Sequence, residues 1–380
     1  MTHARHAPHA PHAPHAPHAR QALQALLIGT YTDTLSHVVG HADGIVSAVF
    51  DGDSLAAVTT AARVRNPSWL TSTADGSRVY AGLETAPEGG VAAFARDTDG
   101  PLGPLGAPGA LSPLGRVSSV GAETAHLALD PSERFLVVGS YGGGSISVFA
   151  LEADGSIGER VAFVQHEGSG PDARRQEGPH VHHVSFDPVT GDLVVVDLGL
   201  GAVLFYDFGD DGTVTARPER TIRSGAAGPR HVAFHPDEQH LFVVNELDST
   251  VDVLRRNGDG FERVGSASSR SAAATADNTT AAVRVSPSGS SVFVTNRGDD
   301  TVAVFAFDPH AQDRPLTLVA SEPTRGKTPR DLVLSPRGDR ILVANQDSDS
   351  VTVFAFDDAT RSLEFVSLAN VPTPVCLRFV

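Results

Sequence analysis

The sequence predicts an all-β chain folded as a seven-bladed β-propeller of four-stranded antiparallel blades, the last blade shared between the N- and C-termini. Three observations predict it. Short apolar runs recur six times at a spacing of about 50 residues, the period of propeller blades rather than of solenoids. Each run is four to seven residues long and bounded by Pro, Gly, Asp or Asn, as strands in a meander are. The two chain ends carry complementary fragments of one more copy.

The clearest copy starts at Gly228 and gives four strands in order, here a to d: G-P-R-H-V-A-F-H-P, H-L-F-V-V-N-E, S-T-V-D-V-L and F-E-R-V-G-S. Further copies begin at Asn66, Thr124, Gly178, near Thr280 and at Thr328. The run T-P-V-C-L-R-F-V from Thr373 reads as strand a alone. L-L-I-G-T-Y-T, G-I-V-S-A-V-F and Leu55 to Ala62 near the start read as b, c and d. One strand plus three completes the seventh blade and removes two exposed sheet edges. Trp69 is the only tryptophan, so the Trp-Asp type of propeller repeat is excluded.

Composition supports strands and turns over long helices, with 41% hydrophobic residues, 37 Gly and 25 Pro in 380 residues. A formal net charge of −16 argues against nucleic-acid or anionic-lipid partners. No apolar run approaches the roughly 20 residues of a membrane span. A single cysteine, Cys376, rules out an internal disulfide and a cysteine metal cluster, and points to a cytoplasmic protein. No protein partner is implied. The Ala-Pro-His repeats carrying His3, His6, His9, His12, His15 and His18 read as a low-complexity tail over residues 1–22, ahead of a single domain over 23–380.

Strands a and b are antiparallel neighbours, so the start of a and the end of b share one face of the disc. Residues entering a include His126, His180, His182, Arg230 and Arg330; residues leaving b include Glu84, Tyr141, Asp197, Glu246, Arg297 and Gln346. The opposite face collects turn formers such as Asp187-Pro188 and His235-Pro236. Acids, bases and guanidinium groups converging on one mouth mark the candidate site. Each of them also has a structural use: the arginines can tie blades together, and His180 can rest beside Asp197.

The strings G-P-H-V-H-H-V-S-F-D-P, D-L-G, G-P-R-H-V-A-F-H-P, N-E-L, T-N-R-G and A-N-Q-D-S-D-S resemble the lactonase family of propellers, from about Leu26 to Val380. That family includes propeller-type 6-phosphogluconolactonases and, more distantly, fungal carboxymuconate lactonizing enzymes. The resemblance implies a seven-bladed propeller and a catalytic His, two Arg and a Glu, which fall on His182, Arg230, Arg297 and Glu246. One departure stands at Ala281-Ala282-Val283, where many relatives carry Ala-Ala-Glu.

The chemistry implied is hydrolysis of a small anionic sugar lactone, 6-phosphogluconolactone in the pentose phosphate route, with no cofactor and no metal. Glu246 or His182 would serve as general base, and Arg230 would meet the oxyanion. Arg297, with Arg330 and Lys327, would hold the phosphate. His180, Tyr141, Asp197 and Gln346 would complete the substrate pocket. The same residues would also suit a carboxymuconate-type cyclisation, and the fold alone would suit a non-enzymatic binding platform. Substituting Glu246 or His182 at an open mouth is expected to leave the melting temperature near the parent's.

Overall fold

The computed structural model describes residues 23–97, 110–272, 274, 277–311 and 313–380, so the tail assigned to residues 1–22 lies outside the described residues. Among the described residues seven blade sheets form, each with four strands in sequential antiparallel order and one of them with a fifth, beside a separate two-stranded hairpin. Blade 1 is the shared one: Pro374–Phe379 is its a strand, followed by Gln24–Thr30, Ile45–Phe50 and Leu55–Ala62. Pairing of Ile28 with Leu377 and of Gly29 with Cys376 closes the ring. Blades 2 to 7 have a strands Pro67–Ser72, Thr124–Leu129, Val181–Phe186, Pro229–Phe234, Thr279–Val285 and Pro329–Leu334. Blade 4 ends in a short d strand, Val214–Ala216, and Ile222–Arg223 pairs beside it on the same c strand.

The core is a ring of seven apolar layers, one between each pair of neighbouring blades. Leu26, Phe50, Leu342 and Val353 fill the layer between blades 1 and 7; Phe242, Val253, Val292 and Phe305 fill the one between blades 5 and 6. Strands b and c are therefore covered on both faces. That is why Phe135–Ser140 and Ile45–Phe50 are buried throughout and read as continuous apolar runs. Outer d strands such as Ile157–Gln165 face water on one side and alternate instead. Each fully buried Leu or Phe contributes about 1.5–3 kcal/mol.

One local device repeats around the axis. In six blades the a strand slips register by one residue, leaving Val375, Ser68, Ala125, His182, Arg230 and Arg330 each unpaired between two paired neighbours. In blade 6 the irregularity spans Ala281 and Ala282. A β-bulge of this kind re-aims a side chain. All six of those unpaired residues line one cavity. A small hairpin (Thr34–Leu35 with Val38–Val39), not foreseen in the sequence, follows strand b of blade 1 and sets His37 over the same cavity. Among the described residues, no helix is long and apolar enough to cross a membrane.

Candidate active site

The cavity has a volume of about 470 Å³, within the range of small-molecule sites. Among its lining residues is Glu246, which follows the last paired residue of strand b in blade 5 and is only 3% exposed. Three guanidinium groups surround its carboxylate. Arg297 Nη2 is 2.7 Å from Oε2, and Arg230 Nε is 3.0 Å from the same oxygen, close enough for an ion pair but not aligned as a hydrogen bond. Arg175 Nη2 lies 2.5 Å from Oε1. Arg230 Nη1 also donates to the Ala281 carbonyl at 2.8 Å, and Arg297 Nη2 to the Thr280 carbonyl at 2.7 Å. One strand, Thr279–Val285, thus fixes a pair of guanidinium groups at one carboxylate oxygen.

The charges of this cluster shape one another. Burial opposes the Glu246 carboxylate, but Arg297, Arg230 and Arg175 outweigh it and hold its pKa well below the usual range. Burial and the neighbouring Arg297 push Arg230 down to about 9, which leaves it charged at neutral pH. Burial, reinforced by Arg230, holds His182 well below an ordinary histidine, so it is a neutral imidazole. His182 Nδ1 is buried without a hydrogen-bond partner. A base that is unprotonated and uncommitted therefore stands in the same cavity as two fixed donors of positive charge.

On the other side, Arg330 Nη2 donates to the Tyr31 hydroxyl at 2.9 Å, and that hydroxyl donates to Glu84 Oε2 at 2.7 Å. The Arg330 guanidinium also lies 5.4 Å from the centre of the Tyr31 ring. His37 Nε2 is 3.3 Å from the same hydroxyl, and burial, helped by Arg330, pushes its pKa down to about 4. Gln346 lines the cavity with its buried Oε1 unpartnered, as does the Ser68 hydroxyl.

Of the ten residues singled out from the sequence, His182, Arg230, Glu246, Arg297, Tyr141, Arg330 and Gln346 line this cavity together. Three do not. Asp197 is the last paired residue of its b strand, one position before the place that Glu246 and Tyr141 occupy in their blades. A one-residue offset in a strand turns the side chain to the other face. Its carboxylate accepts instead from the His180 and Leu200 backbone N–H groups and pairs with His166 Nδ1 at 2.6 Å, all within the scaffold. His180 stacks on Tyr141 at 4.4 Å and holds its carbonyl through Nδ1, so it supports a lining residue without lining the cavity itself. Lys327 is exposed beside the rim.

Sequence reasoning missed Tyr31, His37, Arg175, Glu123, Trp69 and His231. The first and last had a signal: Tyr31 follows strand b as Glu246 does, and His231 follows the bulge. Beneath the bulge ring, Trp69, His126, His183 and His231 stack, with ring centres 4.0 Å apart for Trp69–His126 and for His126–His183. The last three could in principle hold a metal ion. Yet Arg230 Nη1 donates to His231 Nε2 at 3.1 Å, and Val184 N–H to His126 Nδ1 at 3.4 Å. Those bonds occupy one lone pair each on His231 and His126 and leave N–H groups on their free edges, the wrong tautomer for ligation, so of the three only His183 keeps both nitrogens unpartnered. The layer is thus a packed floor under the cavity.

The model of the seven-bladed β-propeller lactonases matches residues 25–379, nearly the whole propeller. The chain belongs to the seven-bladed propeller lactonase family. It is 31% identical over 358 residues to the 6-phosphogluconolactonase of Bacillus subtilis, covering 93% of this chain and 97% of that one. The solved structure of the periplasmic gluconolactonase of Pseudomonas aeruginosa superposes with a TM-score of 0.85 at 29% identity, over 94% of this lactonase-family chain and 99% of the other. A Lactobacillus plantarum protein of known structure gives a TM-score of 0.84 at 30% identity, over 94% and 100%.

Proposed function

We propose that this lactonase-family protein hydrolyses a sugar-acid lactone, 6-phosphogluconolactone in the pentose phosphate route, in the cytoplasm. The observation that carries the chemistry is His182: neutral, buried and with an unpartnered Nδ1, in one cavity with the Arg230–Arg297 pair. The phosphorylated substrate draws support from the Bacillus relative's name, while the Pseudomonas relative is named a gluconolactonase. The single thiol supports the compartment, although that same Pseudomonas relative is named periplasmic.

The lactone carbonyl lies against Arg230 and also Arg297, which is expected from the sequence at the phosphate but shares one Glu246 oxygen with Arg230. His182 takes a proton from water as the water oxygen bonds to the carbonyl carbon, and the negative charge on the former carbonyl oxygen develops against the two guanidinium groups. When the tetrahedral centre collapses, the bond to the ring oxygen breaks and protonated His182 supplies the proton to that oxygen. Both oxygens of Glu246 are engaged by guanidinium groups, so its work is to hold Arg230 and Arg297 in place. The test is lactone hydrolysis with phosphorylated and unphosphorylated gluconolactone, corrected for spontaneous opening. His182→Ala should lower turnover about 10²-fold or more, the usual scale of general-base help. Unchanged turnover would remove His182 from the chemistry.

A further inference from the structure

The Glu246 cluster carries more positive charge than its carboxylate can neutralise. Three guanidinium groups meet one carboxylate, and Arg330 lines the same cavity. Glu84 and Glu123 line the cavity as well, so its four guanidinium groups and three carboxylates leave one positive charge for an anion from outside the chain to neutralise. The guanidinium groups are not equally available to one. The Arg230 and Arg297 side chains are 3% and 14% exposed, and both also hold backbone carbonyls. Arg175 is 39% exposed and belongs to none of the strands. It sits on the loop joining blades 3 and 4, reaches Glu246 through Oε1, the oxygen the other two leave free, and meets the Tyr141 hydroxyl.

That loop is held firmly enough to aim its side chain. The next residue, Gln176, is fully buried; its amide donates to the carbonyls of Leu198 and Gly225 at 2.8 and 2.9 Å and accepts from Asp172 N–H at 3.0 Å. An arginine anchored in this way, with its side chain 39% exposed, suits bidentate recognition of a phosphate or carboxylate.

We propose that Arg175 forms an anion subsite at the cavity rim and reads the phosphate of a phosphorylated lactone, while the Arg230–Arg297 pair faces the reacting carbonyl. This rests on the lactonase reading above and names its specificity residue. The exposure gradient sets the direction of the substrate: ring carbonyl inward to Arg230, charged end outward to Arg175. The phosphate need not evict Glu246, because a guanidinium presents five donors and the carboxylate engages few of them.

Binding separates this inference from the hydrolase reading, because it needs no turnover. Calorimetry with 6-phosphogluconate and with gluconate measures the preference for phosphate in the full chain. The parent should prefer 6-phosphogluconate by about 10- to 150-fold, the worth of a hydrogen bond to a charged group. In Arg175→Ala the ratio of the two affinities should fall towards one, and Arg175→Lys, which keeps the charge but not the fork, should restore part of it. Thermal unfolding of both variants confirms that the loop change leaves the propeller folded. A ratio unchanged in Arg175→Ala, or a loss of equal size for both ligands, overturns the subsite, as does a parent with no preference. A parent that prefers phosphate through Arg175 yet hydrolyses no lactone keeps the subsite and overturns the hydrolase reading.

Discussion

Replacing Glu246 by Gln keeps the shape of the side chain and removes the one negative charge that three arginines share. Two of those arginines are buried with it. Taking one partner from a buried ion pair costs about 3–5 kcal/mol, because the remaining charges stay desolvated and unpaired. Arg175 is half in solvent and adds little to that figure. For a domain of this size the loss translates into a fall in Tm of roughly 4 to 7 °C. This corrects the expectation that a mouth residue contributes little to stability: Glu246 stands at the mouth by topology but is 3% exposed and clamps two strands.

The pH dependence checks the same reasoning with an independent sign. A carboxylate with a depressed folded pKa contributes stability that is fully present above its unfolded pKa of about 4.3 and fades as pH falls through the folded value. Differential scanning calorimetry should therefore show a Tm gap between parent and Glu246→Gln that is constant from pH 8 to 5 and narrows only in stronger acid. His182→Ala should show a much smaller gap, since a neutral ring with an unpartnered nitrogen is removed. A Glu246→Gln variant melting within 2 °C or so of the parent at pH 7 would refute the clamp and the buried-pair magnitude behind it.

Deleting Thr373 to Val380 removes strand a of the shared blade, so the product should aggregate or lose its cooperative melt; a soluble, normally melting product would contradict the closure. Burial holds His183 at about 3, so its contribution is present above pH 6.5 and is lost as pH falls from 6.5 towards 3; acid melts should be blunted in His183→Phe. Lactone hydrolysis, corrected for the spontaneous reaction, should hold steady from pH 7 down to 6, since His182 stays unprotonated there; a half-maximal rate near 6.5 would contradict its depressed pKa.

The strands were legible because layers between blades bury b and c on both faces, which writes each as an unbroken apolar run. The site was legible wherever a residue occupied a repeated register position, as His182, Arg230 and Arg330 do at the bulge. Asp197 shows the limit of that reading: a single-residue offset, invisible without knowing where pairing stops, sends it into the scaffold. Arg175 had no counterpart in any repeat, because it comes from a loop whose path is fixed by Gln176 reaching carbonyls 22 and 49 residues away. Its ion pair with Glu246 spans 71 residues and leaves no local pattern.

The bulge ring also explains how a nearly symmetric scaffold makes a lopsided site. Blades 4, 5 and 7 place His182, Arg230 and Arg330 at the bulge, while blades 1, 2 and 3 place Val375, Ser68 and Ala125 there. The small arc leaves room opposite the charged one, and that room is where a sugar ring would sit. Ala125→Leu tests this without touching a charge. It adds three carbons to a cavity of about 470 Å³ at a position already re-aimed by the bulge. The a strand keeps its pairing, so Tm should stay near the parent's. Substrate should be excluded, raising KM by tenfold or more, about 1.4 kcal/mol of lost binding, with kcat far less affected. A variant with unchanged KM would mean the ring lies elsewhere in the cavity, and the inward-to-outward direction drawn from Arg230 to Arg175 would have to be redrawn.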